Sequence, residues 1–281
     1  MKRIGFFGRF SRGEVTAIMA KHIVDLEGRH KVETYDFDAQ LPESLELDLA
    51  VIFGGDGTIL RAARYLAPLN IPAIGVNLGK FGFLAGCVES DCPLLAEAVL
   101  EGKIEPTERT MLVGQIQNTG RTVAELSALN DIVVTAAVPA QMVAIELAIN
   151  KGPLTTIQGD GLIVSTATGS TGYNLSCGGP IVAPSEDVII LTALAPHTLA
   201  IRPMVISGGD VVDMKVSARR TAVSVTADGQ VARTIKDGDS VCVRRAPYRF
   251  RLYEGPEWSF YKVVRGKLRW GEEVNYAKDQ G

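Results

Sequence analysis

Two short apolar runs organise the first half of the chain. Residues 3 to 8 (RIGFFG) and 49 to 53 (LAVIF) are continuous hydrophobic stretches, the pattern of strands buried on both faces of a parallel sheet. Between them Val15, Ile18, Met19, Ile23 and Leu26 fall at helical spacing, and after the second run Ile59, Leu60, Ala63, Leu66 and Ala67 do the same. Pro72 to Val76 (PAIGV) reads as a third strand. Strand, helix, strand, helix, strand predicts α/β architecture.

Past about Gly102 the pattern changes to alternation, as in Val223 and Val225, Val241 and Val243, and Phe250 and Leu252. Asp-Gly pairs at 228–229 and 237–238 punctuate it, and such dipeptides are short hairpin signals. The last segment, Ser259 to Trp270, turns amphipathic again, with Tyr261, Val264 and Leu268 on one helical face despite Gly266. The fold class expected is an α/β N-terminal domain with a Rossmann-like parallel sheet, residues 1–101, and a β-rich C-terminal domain, residues 102–258. The tail 259–281 is expected to return to the first domain.

Composition narrows the function classes. The 281 residues carry a net charge of −3, which gives no electrostatic footprint for nucleic acid or an anionic membrane. The four cysteines form no C-x-x-C pair and the three histidines are scattered, which argues against a disulfide scaffold or a zinc site. The stretch Val188 to Ile201 carries no charge but is broken by Pro196 and His197, so it does not read as a membrane span. The expectation is a reduced, cytoplasmic, soluble protein with no membrane segment.

Glycine is in excess, 29 in all, and concentrated in two windows, seven from Gly54 to Gly86 and six from Gly159 to Gly179. In the first, Gly54-Gly55-Asp56-Gly57-Thr58 follows a buried strand and opens a helix. In a parallel sheet that is where ligands bind, and the free N–H groups of a helix start suit a phosphate. Asp56 is the odd element there. Either it caps the helix, or it accepts a proton from an attacking hydroxyl in phosphoryl transfer. Asn77, at the end of the third strand, either meets ribose hydroxyls or adenine, or supports a turn. Neither a Walker A sequence, whose closest fragment is Gly79-Lys80-Phe81, nor a complete G-x-G-x-x-G is present.

The second window is polar without being charged. From Gly161 to Ser185 no residue is charged, yet Ser165, Thr166, Thr168, Ser170, Thr171, Tyr173 and Ser176 supply hydroxyls among Leu162, Ile163, Val164, Ile181 and Val182. That mixture suits a pocket wall reading a polar neutral ligand, with Tyr173 placed to stack on a ring or to serve as amphipathic filler. Asp160, flanked by glycines, and the pair Asn130-Asp131 add polar groups nearby.

Taken in order, these motifs resemble the bacterial NAD kinases. They are Gly54 to Thr58, Asn77-Leu78-Gly79 with Gly82-Phe83-Leu84, Asn130-Asp131, Gly159 to Tyr173 (GDGLIVSTATGSTGY), Gly178-Gly179-Pro180, Pro196-His197 with Arg202-Pro203, and Asp228-Gly229-Gln230. The G-G-D-G-T turn alone is shared with lipid kinases and phosphofructokinases. The uncharged second window favours a nucleoside over an acyl chain, and a non-catalytic dinucleotide sensor is the competing class.

The resemblance implies that Asp56 accepts the proton of the adenosine ribose 2′-hydroxyl of NAD, with Gly57 beside it. It implies that Asn130 and Asp131 hold ribose hydroxyls, and that Asp160, Thr168, Thr171, Gly172, Tyr173, Asn174 and Ser176 line the dinucleotide pocket. Ala195 and Gln230 touch that pocket. Gln158, in the implied dinucleotide site, sits where a basic residue is common, which implies a missing charge contact to the dinucleotide. His197 is either catalytic or, as favoured, a residue holding a turn before Arg202. Asp131 replaces a frequent Glu, Ala167 a usual Pro and Gly172 a common Ala. The implied donor is ATP, or in some members polyphosphate, with a divalent cation such as Mg²⁺, in a homodimer or homotetramer.

Overall fold

The structure, a computed structural model, describes residues 1–79, 82–138, 141–198, 200–218 and 222–271. Lys80, Phe81 and residues 272–281 of the expected tail lie outside the described residues.

The N-terminal part runs β1 (Arg3–Gly8), α1 (Gly13–Glu27), β2 (Lys31–Asp36), β3 (Leu49–Phe53), α2 (Asp56–Leu66), β4 (Ala73–Asn77), β5 (Cys87–Val88) and α3 (Cys92–Leu100). β1 pairs in parallel with β2 and β3, and β4 with β3 and β5. Every residue of β3 and β4 is buried, because helices cover both faces of the sheet and leave no polar side to the strands. Val15, Met19 and Leu26 of α1 pack with Phe6, Val51 and Phe53 on one face. On the other, Ile59, Ala63 and Leu66 of α2 pack with Phe7, Ile52 and Phe250.

The remaining elements are β6 (Thr107–Asn118), β7 (Arg121–Ala128), β8 (Asp131–Ala136), β9 (Val143–Ile149), β10 (Gly152–Gly159), β11 (Gly161–Thr166), α4 (Tyr173–Ser176), β12 (Val188–Leu194), β13 (Met204–Ser207), β14 (Val212–Ser217), β15 (Val223–Ala227), β16 (Val231–Ile235), β17 (Ser240–Tyr253) and α5 (Phe260–Leu268). A six-stranded sheet in the order β13-β12-β11-β8-β15-β16 faces a larger one. The core between them, including Ile132, Val134, Ile145, Val164, Val225 and Val243, is apolar, as alternation along both sets of strands requires.

The larger sheet crosses the sequence boundary near Gly102. Its main order is β10-β9-β14-β17-β4-β3-β1-β2. β17 makes the join: its first half pairs with β14, and Leu252 and Tyr253 at its end pair in parallel with Ala73 and Ile74 of β4. The chain thus returns to the first sheet before α5 begins.

Two expectations are corrected. Asp228-Gly229 does turn the β15–β16 hairpin, with positive φ at both residues, but Asp237-Gly238 joins β16 in one sheet to β17 in the other. It serves as an inter-sheet corner with Gly238 in the left-handed region, a conformation that the same dipeptide supplies equally well. In α5 the buried residues are Val263 and Val264, while Tyr261 is 72% exposed. The docked stripe is Phe260, Val263 and Val264, because Phe260 packs on Phe83 with ring centroids 6.2 Å apart and fixes the rotation of the helix.

Candidate active site

The carboxyl ends of β1, β3 and β4 converge on a cavity of about 270 Å³ lined by Arg9, Arg12, Gly54, Gly55, Thr58 and Asn77 among others. In this sheet β2 lies on one side of β1, while β3 and β4 lie on the other. The order therefore reverses between β1 and β3, which opens a crevice where α/β proteins bind ligands. Arg9 and Arg12, in the loop after β1, line the cavity together with the glycine turn, and Arg9 Nε stands 4.0 Å from Asp38 Oδ1. Sequence reading missed both, since isolated arginines carry no motif. Asn77 supports the turn after β4. Its Oδ1 accepts the Gly79 N–H at 2.9 Å, and its buried Nδ2 has no protein partner, so a donor remains for an anion or hydroxyl.

Asp56 begins α2, yet its side chain does not cap that helix. It reaches across to the loop after β4, where Oδ2 accepts the Phe83 N–H at 3.0 Å and Oδ1 accepts those of Leu84 at 3.1 Å and Ala85 at 3.4 Å. The Lys267 Nζ of α5 stands 3.6 Å from Oδ2. The approach is close enough that a Cβ at Gly82 would lie 1.9 Å from Asp56 Oδ1, which is why only glycine fits there. Although three N–H groups hold it, the carboxylate keeps 31% of its side-chain surface exposed.

A polar chain ties α2 to the second sheet. Arg64, about two turns further along the helix, donates to Asp228 Oδ2 at 2.5 Å and to Gln230 Oε1 at 2.6 Å. Gln230 Nε2 in turn donates to the Gly57 carbonyl at 2.7 Å. Asp228 Oδ1 accepts the Asn130 N–H at 2.7 Å, and Oδ2 accepts that of Leu129 at 3.2 Å. Burial pushes the Asp228 carboxyl up, and the Arg64 charge and these N–H groups oppose that shift without cancelling it. The arrangement sets the phosphate turn and the Asn130-Asp131 pair in fixed register.

Asn130 continues the link. Its carbonyl accepts the Thr166 N–H at 2.8 Å, and a Cβ on Gly169 would lie 2.2 Å from that oxygen. Its side-chain Oδ1 is buried without a protein partner. Asp131 is buried beside it, and burial with the nearby Asp228 charge raises its carboxyl to about 7.

The uncharged window gives two residues, Tyr173 and Cys177, to a second cavity of about 330 Å³, where Tyr173, Asp160 and Ala195 meet Thr135, Gln141 and Cys177. The last three were absent from the sequence reading, because strand ends and a lone Cys leave no pattern. Thr168 is buried with its hydroxyl unpartnered, Thr171 and Gly172 are half-buried nearby, and Ser176 is exposed on α4. Asn174 does not face the cavity: its amide donates to the Ser170 and Pro180 carbonyls and its Oδ1 accepts from the Thr192 hydroxyl. It is fully buried and holds the loop closed. Gln158 is exposed on β10 outside this lining, and its carbonyl accepts the His197 N–H at 2.9 Å.

Both parts of the chain match known family models. Residues 10–104 match the ATP-NAD kinase N-terminal domain and residues 129–255 the ATP-NAD kinase C-terminal domain. The chain belongs to the ATP-NAD kinase family. It is an enzyme, a kinase of that family. The NAD kinase of Geobacter sulfurreducens is 36% identical over 97% of this chain and 100% of that relative. That of Geobacter metallireducens is 41% identical over 80% of each chain. Among solved structures, the NAD kinase from Archaeoglobus fulgidus in complex with ATP has a TM-score of 0.76 at 27% identity, covering 95% of this chain and 98% of that one. Yeast NADH kinase complexed with NADH has a TM-score of 0.89 at 21% identity over 99% of this chain and 90% of that one, a likeness of fold.

Proposed function

We propose that the chain phosphorylates NAD at the 2′-hydroxyl of its adenosine ribose, with ATP as donor and Asp56 as proton acceptor. The observation that carries the reading is the position of Asp56. It stands one residue beyond the glycines of the anion cavity, on a helix tied through Arg64 and Gln230 to the loop of Asn130. Residues 1–101, joined by the tail 259–281, supply the phosphate side, and residues 102–258 supply the nucleoside side.

In this reading the triphosphate lies in the cavity of Arg9, Arg12 and the Gly54-Gly55 turn, where guanidinium groups and a helix start favour negative charge. Asn130 and Asp131 orient the ribose, Tyr173 and Asp160 receive the rest of the dinucleotide, and Thr168, Thr171, Gly172, Ser176 and Ala195 complete the wall. Asp56, fixed by three backbone N–H groups, takes the hydroxyl proton as the oxygen attacks the terminal phosphorus. Positioning dominates such a reaction.

A divalent cation suits the donor side. Among the described residues no cluster of three or more His, Cys, Asp or Glu is placed to hold a metal, while Glu14 lines the anion cavity beside the arginines. One carboxylate plus phosphate oxygens and water is a donor set that fits Mg²⁺. When bound, the cation would neutralise charge on the donor's phosphates.

A homo-oligomer in the cytoplasm completes the proposal, supported by the resemblance. None of the four cysteines is in a disulfide. Among the described residues no helix is long and apolar enough to cross a membrane. The test of function is a coupled assay for NADP, with ATP or polyphosphate as donor and with or without Mg²⁺. NADP formed from ATP and Mg²⁺ supports the reading; tight NAD binding without any NADP overturns it in favour of a sensor.

A further inference from the structure

Asp56 keeps one acceptor site, on Oδ2, without a hydrogen bond, and a cation stands beside it. An ionised carboxylate offers about four lone-pair sites. Three are taken by the N–H groups of Phe83, Leu84 and Ala85, and Lys267 Nζ stands at 3.6 Å on Oδ2. Three of these groups are backbone, set by the loop after β4 and by the close approach of Gly82. Only the fourth sits on a flexible stem. The acceptor site without a hydrogen bond is on Oδ2, so a substrate hydroxyl that gives its proton there approaches beside the ammonium, the one neighbour of that oxygen on a flexible stem.

The surroundings of Lys267 allow the ammonium to move. α5 is anchored by Phe260 against Phe83 and by buried Val263 and Val264, so its backbone is fixed over the loop. Lys267, in the last turn, is 37% exposed, and its ammonium also lies 5.4 Å from the centre of the Phe83 ring. The side chain lines a cleft of about 610 Å³ between α5 and Gly79, and Gly79 lines the anion cavity as well. Gly79 is thus a wall common to the cleft of Lys267 and to the cavity where the donor's phosphates are proposed to lie.

We propose that Lys267 is a second catalytic residue, whose ammonium yields Oδ2 of Asp56 to the acceptor hydroxyl and moves onto the terminal phosphate of a nucleoside triphosphate. The step balances as follows. The hydroxyl O–H bond breaks and its proton goes to Asp56, while the oxygen's electron pair forms the new bond to phosphorus. The bond from phosphorus to the bridging oxygen breaks, and its pair leaves with the nucleoside diphosphate. Lys267 stays protonated throughout and balances charge on the transferring group. A mobile point charge with three donors suits this better than a planar guanidinium. The inference rests on the NAD kinase reading of the site.

The test uses the full chain with Lys267→Met, Lys267→Arg and Lys267→Ala, each checked for folding by circular dichroism. The parent must first form NADP from NAD and ATP; if it does not, the reading of the site fails rather than this inference. Lys267→Met is expected to lower kcat roughly 10²–10³-fold, the scale of losing one transition-state donor, with NAD affinity changed less than threefold. ATP affinity should weaken about tenfold while ADP affinity stays constant, since ADP lacks the group contacted. Lys267→Arg should recover part of kcat, and ethylammonium should restore turnover to Lys267→Ala. A Lys267→Met enzyme within threefold of parent kcat overturns the proposal. So do equal losses for ATP and ADP with no rescue by amine, which mark a helix anchor. If Lys267→Met does not fold, the amine response of Lys267→Ala and the ATP-to-ADP ratio of Lys267→Arg decide in the same way.

Discussion

The Arg64 guanidinium meets the Asp228 carboxylate at 2.5 Å, joining the helix of the phosphate turn to the hairpin of the second sheet. Asp228 has no exposed side-chain surface and Arg64 has 13%, so the pair is a buried one whose members depend on each other. Arg64→Ala strands the carboxylate and is expected to cost about 3–5 kcal/mol of stability, lowering Tm by roughly 10 °C. Adding Asp228→Asn should recover part of the loss, because the two sites couple. Additive losses in thermal unfolding would show that the pair is not the link.

Gly82→Ala tests how tightly Asp56 is held. The new Cβ would fall 1.9 Å from Oδ1, so either the loop or the carboxylate moves. A displacement near 1 Å costs on the order of 10²-fold in rate. Steady-state kinetics should show that loss in kcat, with NAD affinity little changed.

Arg12→Met and Arg9→Met address the anion cavity. Each removes a guanidinium from its wall. The expected result is a rise in KM for ATP of roughly tenfold per arginine, about 1.4 kcal/mol, at unchanged KM for NAD. An equal effect on both substrates would place the donor elsewhere.

Asp131 gives a pH signature. Burial and the Asp228 charge raise its folded carboxyl to about 7, above the unfolded value near 3.9. Its protonated form is favoured by folding, so this contribution is complete below about pH 4 and is lost as pH rises towards 7. Asp131→Asn should flatten that part of the Tm–pH curve and unfold a few degrees higher than the parent at pH 7.5. A steeper curve in the variant would contradict the sign.

The parallel half of the fold was legible because burial on both faces writes itself into sequence as runs such as LAVIF. The hairpin at Asp228 was legible from turn chemistry, whereas Asp237 carries the same dipeptide and joins two sheets. A turn residue fixes local backbone and says nothing about which strand comes next. The rotation of α5 escaped for a related reason: Tyr261 and Phe260 are both aromatic, and only the partner Phe83 selects between them.

Asp56 and Tyr173 stood out in the sequence by their glycine and hydroxyl neighbours; Asp56 keeps part of its side chain exposed and Tyr173 lines the second cavity. Asn174 looked like its neighbours, yet its three hydrogen bonds are all internal. Arg9, Arg64 and Lys267 act through contacts with residues far away in the chain. No local spacing records such contacts.

The role of Asp56 is tested most directly by the turnover of Asp56→Asn, measured as NADP formed at saturating ATP, Mg²⁺ and NAD. Asparagine keeps the shape of the side chain and removes the proton acceptor. Turnover should fall roughly 10²–10⁴-fold, the range of general-base catalysis, while calorimetry finds NAD affinity within threefold of the parent. Turnover within threefold of the parent would contradict the account.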